Sequence, residues 1–166
     1  MLFLCTHNSA RSQMAEGLLR HFAGDRFVVM SAGTEATHVR PLAVRAMDEL
    51  GIDISGQHSK SLEQYLGQPI DYVITVCDEA NEACPFFPEA RQRLHWSLPD
   101  PAAAEGTEEE RLEVFRLVRD RLRDHLEEEL VTGSRGSSIY SKASDDGLRL
   151  RARLDPSTDK VRLSLV

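Results

Sequence analysis

The chain has 166 residues, 41% of them hydrophobic, and carries 20 Lys and Arg against 27 Asp and Glu, a formal net charge of −7. That length suits one compact domain with a real core. The acidic balance argues against a nucleic-acid binder, whose footprint is basic, yet it allows a local cationic pocket. No apolar run approaches the roughly 18 residues of a membrane span, and the apolar start Met1-Leu2-Phe3-Leu4 is too short for a signal sequence. The expectation is a soluble, cytoplasmic, monomeric protein. Its three cysteines are an odd number; in a reducing compartment such thiols are more often catalytic or inert than structural.

In chain order, the apolar run at 2–5 predicts a buried strand. Residues 12–23 show helical spacing, with Met14, Leu18 and Phe22 on one face. A second strand is expected over 27–31, closed by Ala32-Gly33. A helix over 41–50 turns Val44, Met47 and Leu50 inward and stops at Gly51. Residues 61–66 read as a short helix. The β-branched, apolar run at 72–77 predicts a central strand, and 94–96 a brief fourth one. A long amphipathic helix covers 107–130. Thr107 caps it, Glu110 completes a capping box, and Leu112, Phe115, Val118, Leu122 and Leu126 form its buried stripe.

Strands alternating with helices predict an α/β fold of three layers, a four-stranded parallel sheet with helices on both faces. Ligands of such sheets bind beyond the carboxyl ends of the strands. Cys5 and Cys77 each end a predicted strand, the first sign that they share a site. The domain expected to carry that site is 1–131. Beyond it, 133–138 (Gly-Ser-Arg-Gly-Ser-Ser) reads as a linker. Leu148, Leu150, Ala152 and Leu154 then alternate with arginines, and Val161, Leu163 and Leu165 alternate after a turn at 155–159. The extension over 132–166 is therefore expected to be a β-hairpin or a disordered tail, a non-catalytic appendage.

Five residues separate Cys5 from Arg11, on a predicted strand–loop–helix. A tight loop ahead of a helix aims backbone N–H groups into one concavity, and the helix dipole adds positive potential there. Thr6, His7, Asn8, Ser9, Ala10, Arg11 and Ser12 are thus the candidate cradle for a tetrahedral oxyanion. Arg11 can grip two of its oxygens with a planar fork. The same field is expected to lower the pKa of Cys5 and make it a nucleophile, with Ser12 donating to the thiolate. Asn8 tolerates the positive φ that such a loop needs.

Cys77 and Cys84 lie seven apart. On a helix that is two turns, about 10.5 Å of rise, whereas a disulfide needs Cα atoms within about 7 Å. The two can bond only if the segment loops or unwinds. Zinc-ligand spacing is absent, so no metal site is expected.

The run Cys5-Thr6-His7-Asn8-Ser9-Ala10-Arg11-Ser12-Gln13-Met14-Ala15-Glu16-Gly17 resembles the N-terminal signature of thioredoxin-coupled arsenate reductases on the low-molecular-weight tyrosine phosphatase fold. Ser31-Ala32-Gly33-Thr34 and Gly51-Ile52-Asp53-Ile54-Ser55 are similar to the same family, and the likeness covers roughly residues 1–130. The resemblance implies a three-cysteine relay. Cys5 attacks arsenate, Cys77 attacks Cys5 as arsenite leaves, Cys84 takes over the disulfide, and thioredoxin reduces it. Phosphate and sulfate are the implied competing oxyanions. No cofactor beyond that electron donor is implied.

Leu98-Pro99-Asp100-Pro101 holds an acid between two prolines that stiffen the backbone. The family has an Asp-Pro here that supplies the general acid, which makes Asp100 the candidate. Tyrosine phosphatases of this fold follow it with an aromatic residue, and Ala102-Ala103 here favours the reductase. Some relatives bind potassium through an Asn, a Glu, a Ser and an Asp; Asn8, Glu16 and Ser31 match, but Lys60 stands near the place of the Asp, which speaks against potassium. The alternatives are a phosphatase in which Cys77 and Cys84 are idle, and a non-enzymatic redox or anion sensor using the tail.

Overall fold

A computed structural model describes residues 1–84, 87, 90–131, 150–154 and 161–165. The chain divides into two compact units, Met1–Leu126 and Glu127–Val166. Within the first unit the order is β1 (Leu2–Cys5), α1 (Arg11–Ala23), β2 (Met30–Gly33), α2 (Pro41–Asp48), a 3₁₀ turn (Leu62–Tyr65), β3 (Tyr72–Thr75), α3 (Asp78–Glu82), β4 (Gln92–His95), a second 3₁₀ turn (Pro101–Ala103) and α4 (Glu108–His125). A π-helical stretch, Leu126–Val131, follows. In the second unit β5 (Leu150–Leu154) pairs antiparallel with β6 (Val161–Leu165). The expected linker at 133–138, Leu148 and the turn at 155–159 lie outside the described residues. Among the described residues no helix is long and apolar enough to cross a membrane.

The four strands of the main sheet lie in the order β2-β1-β3-β4, and each pair is parallel. Successive strand side chains point to opposite faces, and β1 is buried on both. Leu2 and Leu4 join a cluster with Ala32, Leu62, Ile70 and Val73. Phe3 instead approaches the Trp96 ring, centroids 6.0 Å apart. A strand buried on both faces needs a continuous apolar run, which is what β1 is. Helix α1 packs against β1, β2, α2 and α4, and α3 packs against β1 and β3. The capping box at Thr107 forms, and Leu112, Phe115, Val118 and Leu122 are buried as the periodicity predicts.

Several boundaries move. The second strand is Met30–Gly33, not 27–31, because β1 pairs Leu2 with Met30 and Cys5 with Gly33. Val28, expected inside that strand, is 79% exposed. The third strand stops at Thr75, and the fourth is Gln92–His95. Phe22 is exposed and set edge-on to His21; Leu19 and Ala23, one turn apart, take the buried stripe instead. In α2 the buried positions are Ala43, Ala46 and Met47, with Val44 and Leu50 only partly covered. Gly51 does end that region. It sits at φ +71 while Ile52 N–H returns to the Met47 carbonyl at 3.1 Å, closing the helix end.

Candidate active site

Strand β1 ends at Cys5 and α1 begins at Arg11, so residues 6–10 form the connecting loop. The segment leaving β2 runs alongside and takes up the loop's carbonyls. Thr34, Glu35, Thr37 and Arg40 donate their backbone N–H groups to the carbonyls of Cys5, Thr6, His7 and Ser9 at 3.3, 2.7, 3.2 and 2.8 Å. With those carbonyls held on that side, the Asn8 N–H donates to Cys5 Sγ at 3.1 Å. Gly33 makes the close approach possible. A Cβ there would lie 2.6 Å from the Thr6 carbonyl oxygen and 2.7 Å from the Asn8 nitrogen.

Asn8 has φ 49, the left-handed conformation anticipated for it, and is wholly buried. Its Nδ2 donates to Ser12 Oγ (2.8 Å) and Ser31 Oγ (2.9 Å). Its Oδ1 accepts from Lys60 N–H (2.8 Å) and Gln13 Nε2 (2.9 Å). Ser31 Oγ in turn donates to Glu16, a buried carboxylate that also meets Arg20 and, at 3.5 Å, the Lys60 ammonium. All four hydrogen-bonding positions of one amide are thus used to fix one strained residue.

Cys5 is 3% exposed and its Sγ lies 2.8 Å from Ser12 Oγ. Here an expectation is corrected. Burial pushes the Cys5 thiol up; bonds from Ser12 pull it down, a neighbouring Cys77 charge pushes up again, and Arg11 pulls down less. The dipole and the donors favour the thiolate, but desolvation outweighs them at this buried sulfur.

Arg11 is buried and its Nη1 donates to the Leu98 carbonyl at 2.9 Å, while Nη2 lies 3.7 Å from Asp100 Oδ1. Asp100 also accepts from Ala102 N–H at 3.1 Å, capping the Pro101–Ala103 turn, and its side chain is 41% exposed. The acid therefore stands at the mouth of the loop, oriented by its own backbone. His7 faces Glu35 at 3.8 Å on the rim. Thr6, Ser9, Ala10 and Ser12 complete the run, the last three of them buried.

Cys77 is wholly buried and N-caps α3, beyond the end of β3. Because β3 lies next to β1, the Cys77 thiol reaches the loop: Thr6 Oγ1 is 3.4 Å from its Sγ. Cys84 follows α3, half-buried against the cluster around Leu2 and Leu4. All three cysteines are thiols, with α3 folded between the second and third. Burial raises the Cys84 thiol and Arg93 partly offsets it. Among the described residues no group of three or more His, Cys, Asp or Glu is placed to hold a metal.

The structure brings Cys5, Arg11, Asp100 and Cys77 together and leaves Cys84 across a helix. It also adds braces that the sequence did not reveal. Gln13 donates to the Asn8 and His58 carbonyls at 3.0 Å, Gln57 holds Gln13, and Ser59 donates to the His7 carbonyl at 2.9 Å. A polar residue early in a helix reads as solvent-facing, so only the wholly buried environment of Gln13 gives it away.

Comparison with known proteins agrees with this geometry. The sequence pattern of low molecular weight phosphotyrosine protein phosphatase matches residues 1–134. The arsenate reductase of Halalkalibacterium halodurans is 50% identical over 131 residues, 79% of this chain and 94% of that relative. A solved arsenate reductase in the phosphate binding state superposes with a TM-score of 0.63 at 37% identity, over 76% of this chain and 92% of that one. The thioredoxin-dependent arsenate reductase of Corynebacterium glutamicum gives a TM-score of 0.57 at 34% identity, over 74% of this chain and 57% of that one. A chain with the Cys5 loop, the parallel sheet and these relatives belongs to the low molecular weight phosphotyrosine protein phosphatase family, on its arsenate reductase side.

Proposed function

We propose that this protein reduces arsenate to arsenite with Cys5 as nucleophile, Cys77 and Cys84 as resolving thiols, and thioredoxin as electron donor. The observation that carries the reading is a second buried thiol, Cys77, hydrogen-bonded through Thr6 to the loop that holds the first. A phosphatase has no use for it. Arsenate settles on the N–H groups of 6–12 with Arg11 forked across two oxygens. The Cys5 sulfur bonds to arsenic and one oxygen leaves as water, its proton supplied by Asp100. Cys77 thiolate then attacks Cys5 Sγ. The S–S bond forms, the S–As electron pair stays on arsenic, and arsenite departs. Cys84 attacks Cys77 Sγ and releases Cys5 thiolate. Thioredoxin reduces the Cys77–Cys84 disulfide and is itself oxidised. The balance is arsenate plus thioredoxin dithiol giving arsenite, water and thioredoxin disulfide.

Lys60 supports a site without potassium in this reading. Its ammonium meets Glu16 at 3.5 Å and donates to the His58 carbonyl at 2.9 Å, so the Asn8–Ser31–Glu16 set already has its cation and does not fit another. Turnover is proposed to be independent of added potassium. The reading further takes the protein as a cytoplasmic monomer, its catalytic domain as 1–131, its extension 132–166 as dispensable, and phosphate and sulfate as competitive oxyanions. The test is thioredoxin-coupled NADPH consumption, with and without arsenate. Arsenate-dependent oxidation is expected, and Cys77→Ser or Cys84→Ser should each stop it by at least about a hundredfold. Full turnover in both variants would sink the reductase and leave a phosphatase using Cys5, Arg11 and Asp100.

A further inference from the structure

Helix α3 is only five residues long, Asp78–Glu82. A helix that short is not stable alone, since nucleation costs more than so few bonds return. Its own backbone supplies Asn81 N–H to the Cys77 carbonyl (3.1 Å) and Ala83 N–H to the Glu79 carbonyl (3.0 Å). Further holds come from Thr75 on β3, from the edge strand β4 and from the residues just beyond it. His95 Nε2 lies 2.8 Å from Asp78 Oδ1, and Ser97 Oγ donates to Asp78 Oδ2 at 3.2 Å. A carboxylate only accepts, so Nε2 carries a proton, while Thr75 Oγ1 of β3 lies 2.8 Å from His95 Nδ1 and 3.2 Å from Asn81 Oδ1. Two residues earlier on the same face of β4, Arg93 Nη2 donates to the Asn81 carbonyl at 2.9 Å. One end of α3 is thus gripped by His95 and the other by Arg93.

We propose that Arg93 and His95 form a clasp that sets how readily α3 unwinds, and hence how fast Cys84 reaches Cys77. The inference rests on the relay reading above. The step concerned is an exchange with no net oxidation: Cys84 thiolate attacks Cys77 Sγ, the Cys77–Cys84 bond forms, and Cys5 leaves as thiolate. It is hindered while α3 stays folded between the two thiols, since a continuous helix over seven residues would rise about 10.5 Å, beyond the reach of a disulfide. His95 is a positioning residue, acting through Asp78 and touching no reacting atom. Its grip slows the second thiol exchange and leaves the first untouched.

The test uses the full reduced protein with one equivalent of arsenate and no thioredoxin, quenched with acid and alkylated, with the disulfides mapped by mass spectrometry. His95→Ala is expected to form Cys77–Cys84 about tenfold faster than the parent, the effect of losing one hydrogen bond to a charged group. The rate of Cys5–Cys77 formation, read in a Cys84→Ser background, should stay within twofold. His95→Gln, which keeps an N–H donor, should return toward the parent rate. Ser97→Ala, on an exposed hydroxyl, should show a smaller acceleration and guards against a His95 variant that folds poorly. Equal or slower Cys77–Cys84 formation in His95→Ala and Ser97→Ala overturns the clasp. Amide hydrogen exchange gives a reading that needs no arsenate. Asn81 and Ala83 should exchange faster in the variants while β1 and β3 stay protected, and unchanged exchange overturns the clasp on its own. A parent that forms no Cys77–Cys84 disulfide overturns the relay instead, and the exchange data still judge the clasp.

Discussion

In the loop at 6–12 the backbone is held from both sides. The segment from β2 takes its carbonyls, Asn8 is fixed by four side-chain bonds, and Gly33 lets the two chains touch. The segment at 77–84 lies on the other side of β1 and is built in the opposite way. Its helix is five residues long, only Ala80 of it is buried, and its clasps are side chains reaching from an edge strand. Both regions supply a thiol to one site. Oxyanion binding needs donors fixed before the substrate arrives, because reorganising them during the reaction would cost the stabilisation they provide. Disulfide transfer needs a segment that can leave its place. On the proposed relay one site pairs a rigid half with a labile half, and the short, little-buried α3 is built as moving elements are.

The contrast can be broken most severely at Arg11. Arg11→Lys keeps the charge but loses the planar fork and the bond to the Leu98 carbonyl, so kcat/KM for arsenate should fall roughly a hundredfold, about 2.7 kcal/mol, in steady-state assays. The rate of Cys77–Cys84 exchange should be unaffected. A smaller loss is expected at Asn8. Asn8→Ala puts a side chain with no bonding groups at φ 49, and thermal unfolding should show about 2 kcal/mol less stability, with protection lost in the loop and kept in α3. If α3 amides lose protection equally, the two halves are not independent. The smallest effect concerns titration. Ser12 lowers the Cys5 pKa against the burial that raises it, so Ser12→Ala should push it higher still. The thiolate is the charged form, so a higher pKa means less of it near neutrality. Iodoacetamide alkylation of Cys5 should rise with pH in both proteins, run several-fold slower at pH 7 in the variant, and reach its midpoint at higher pH. Alkylation of Cys84, outside the loop, should follow the same curve in both.

Much of the architecture was legible because it rests on local patterns. The apolar run of β1, the stripe of α4 and its capping box read directly, since burial and capping leave periodic or fixed-offset marks. Strand ends were less legible. β2 is set by its register against β1, and the apolar Phe27-Val28 run ahead of it, with Val28 exposed, looked more like a strand than Met30–Gly33 does. Among the site residues, Cys5, Arg11, Asn8 and Ser12 are contiguous and could be read as one loop. Gln13, Gln57 and the His95–Asp78 pair could not, because polar braces carry no periodicity and the Gln57–Gln13 and His95–Asp78 partners lie 44 and 17 residues apart.

By itself the sequence determined the chemistry available: a thiol and a guanidinium with five residues between them at a strand–helix junction, and two further thiols whose spacing forbids a bond while the segment between them is helical. Those follow from covalent spacing and from periods of the regular elements, which need no knowledge of the fold. Only the tertiary structure decided that Cys77 meets the Cys5 loop, that the Lys60 ammonium meets the buried Glu16, and that the Cys5 thiol is raised by burial. Each of these depends on which strands are neighbours and on how much water is excluded between them, quantities that exist only once the sheet has assembled.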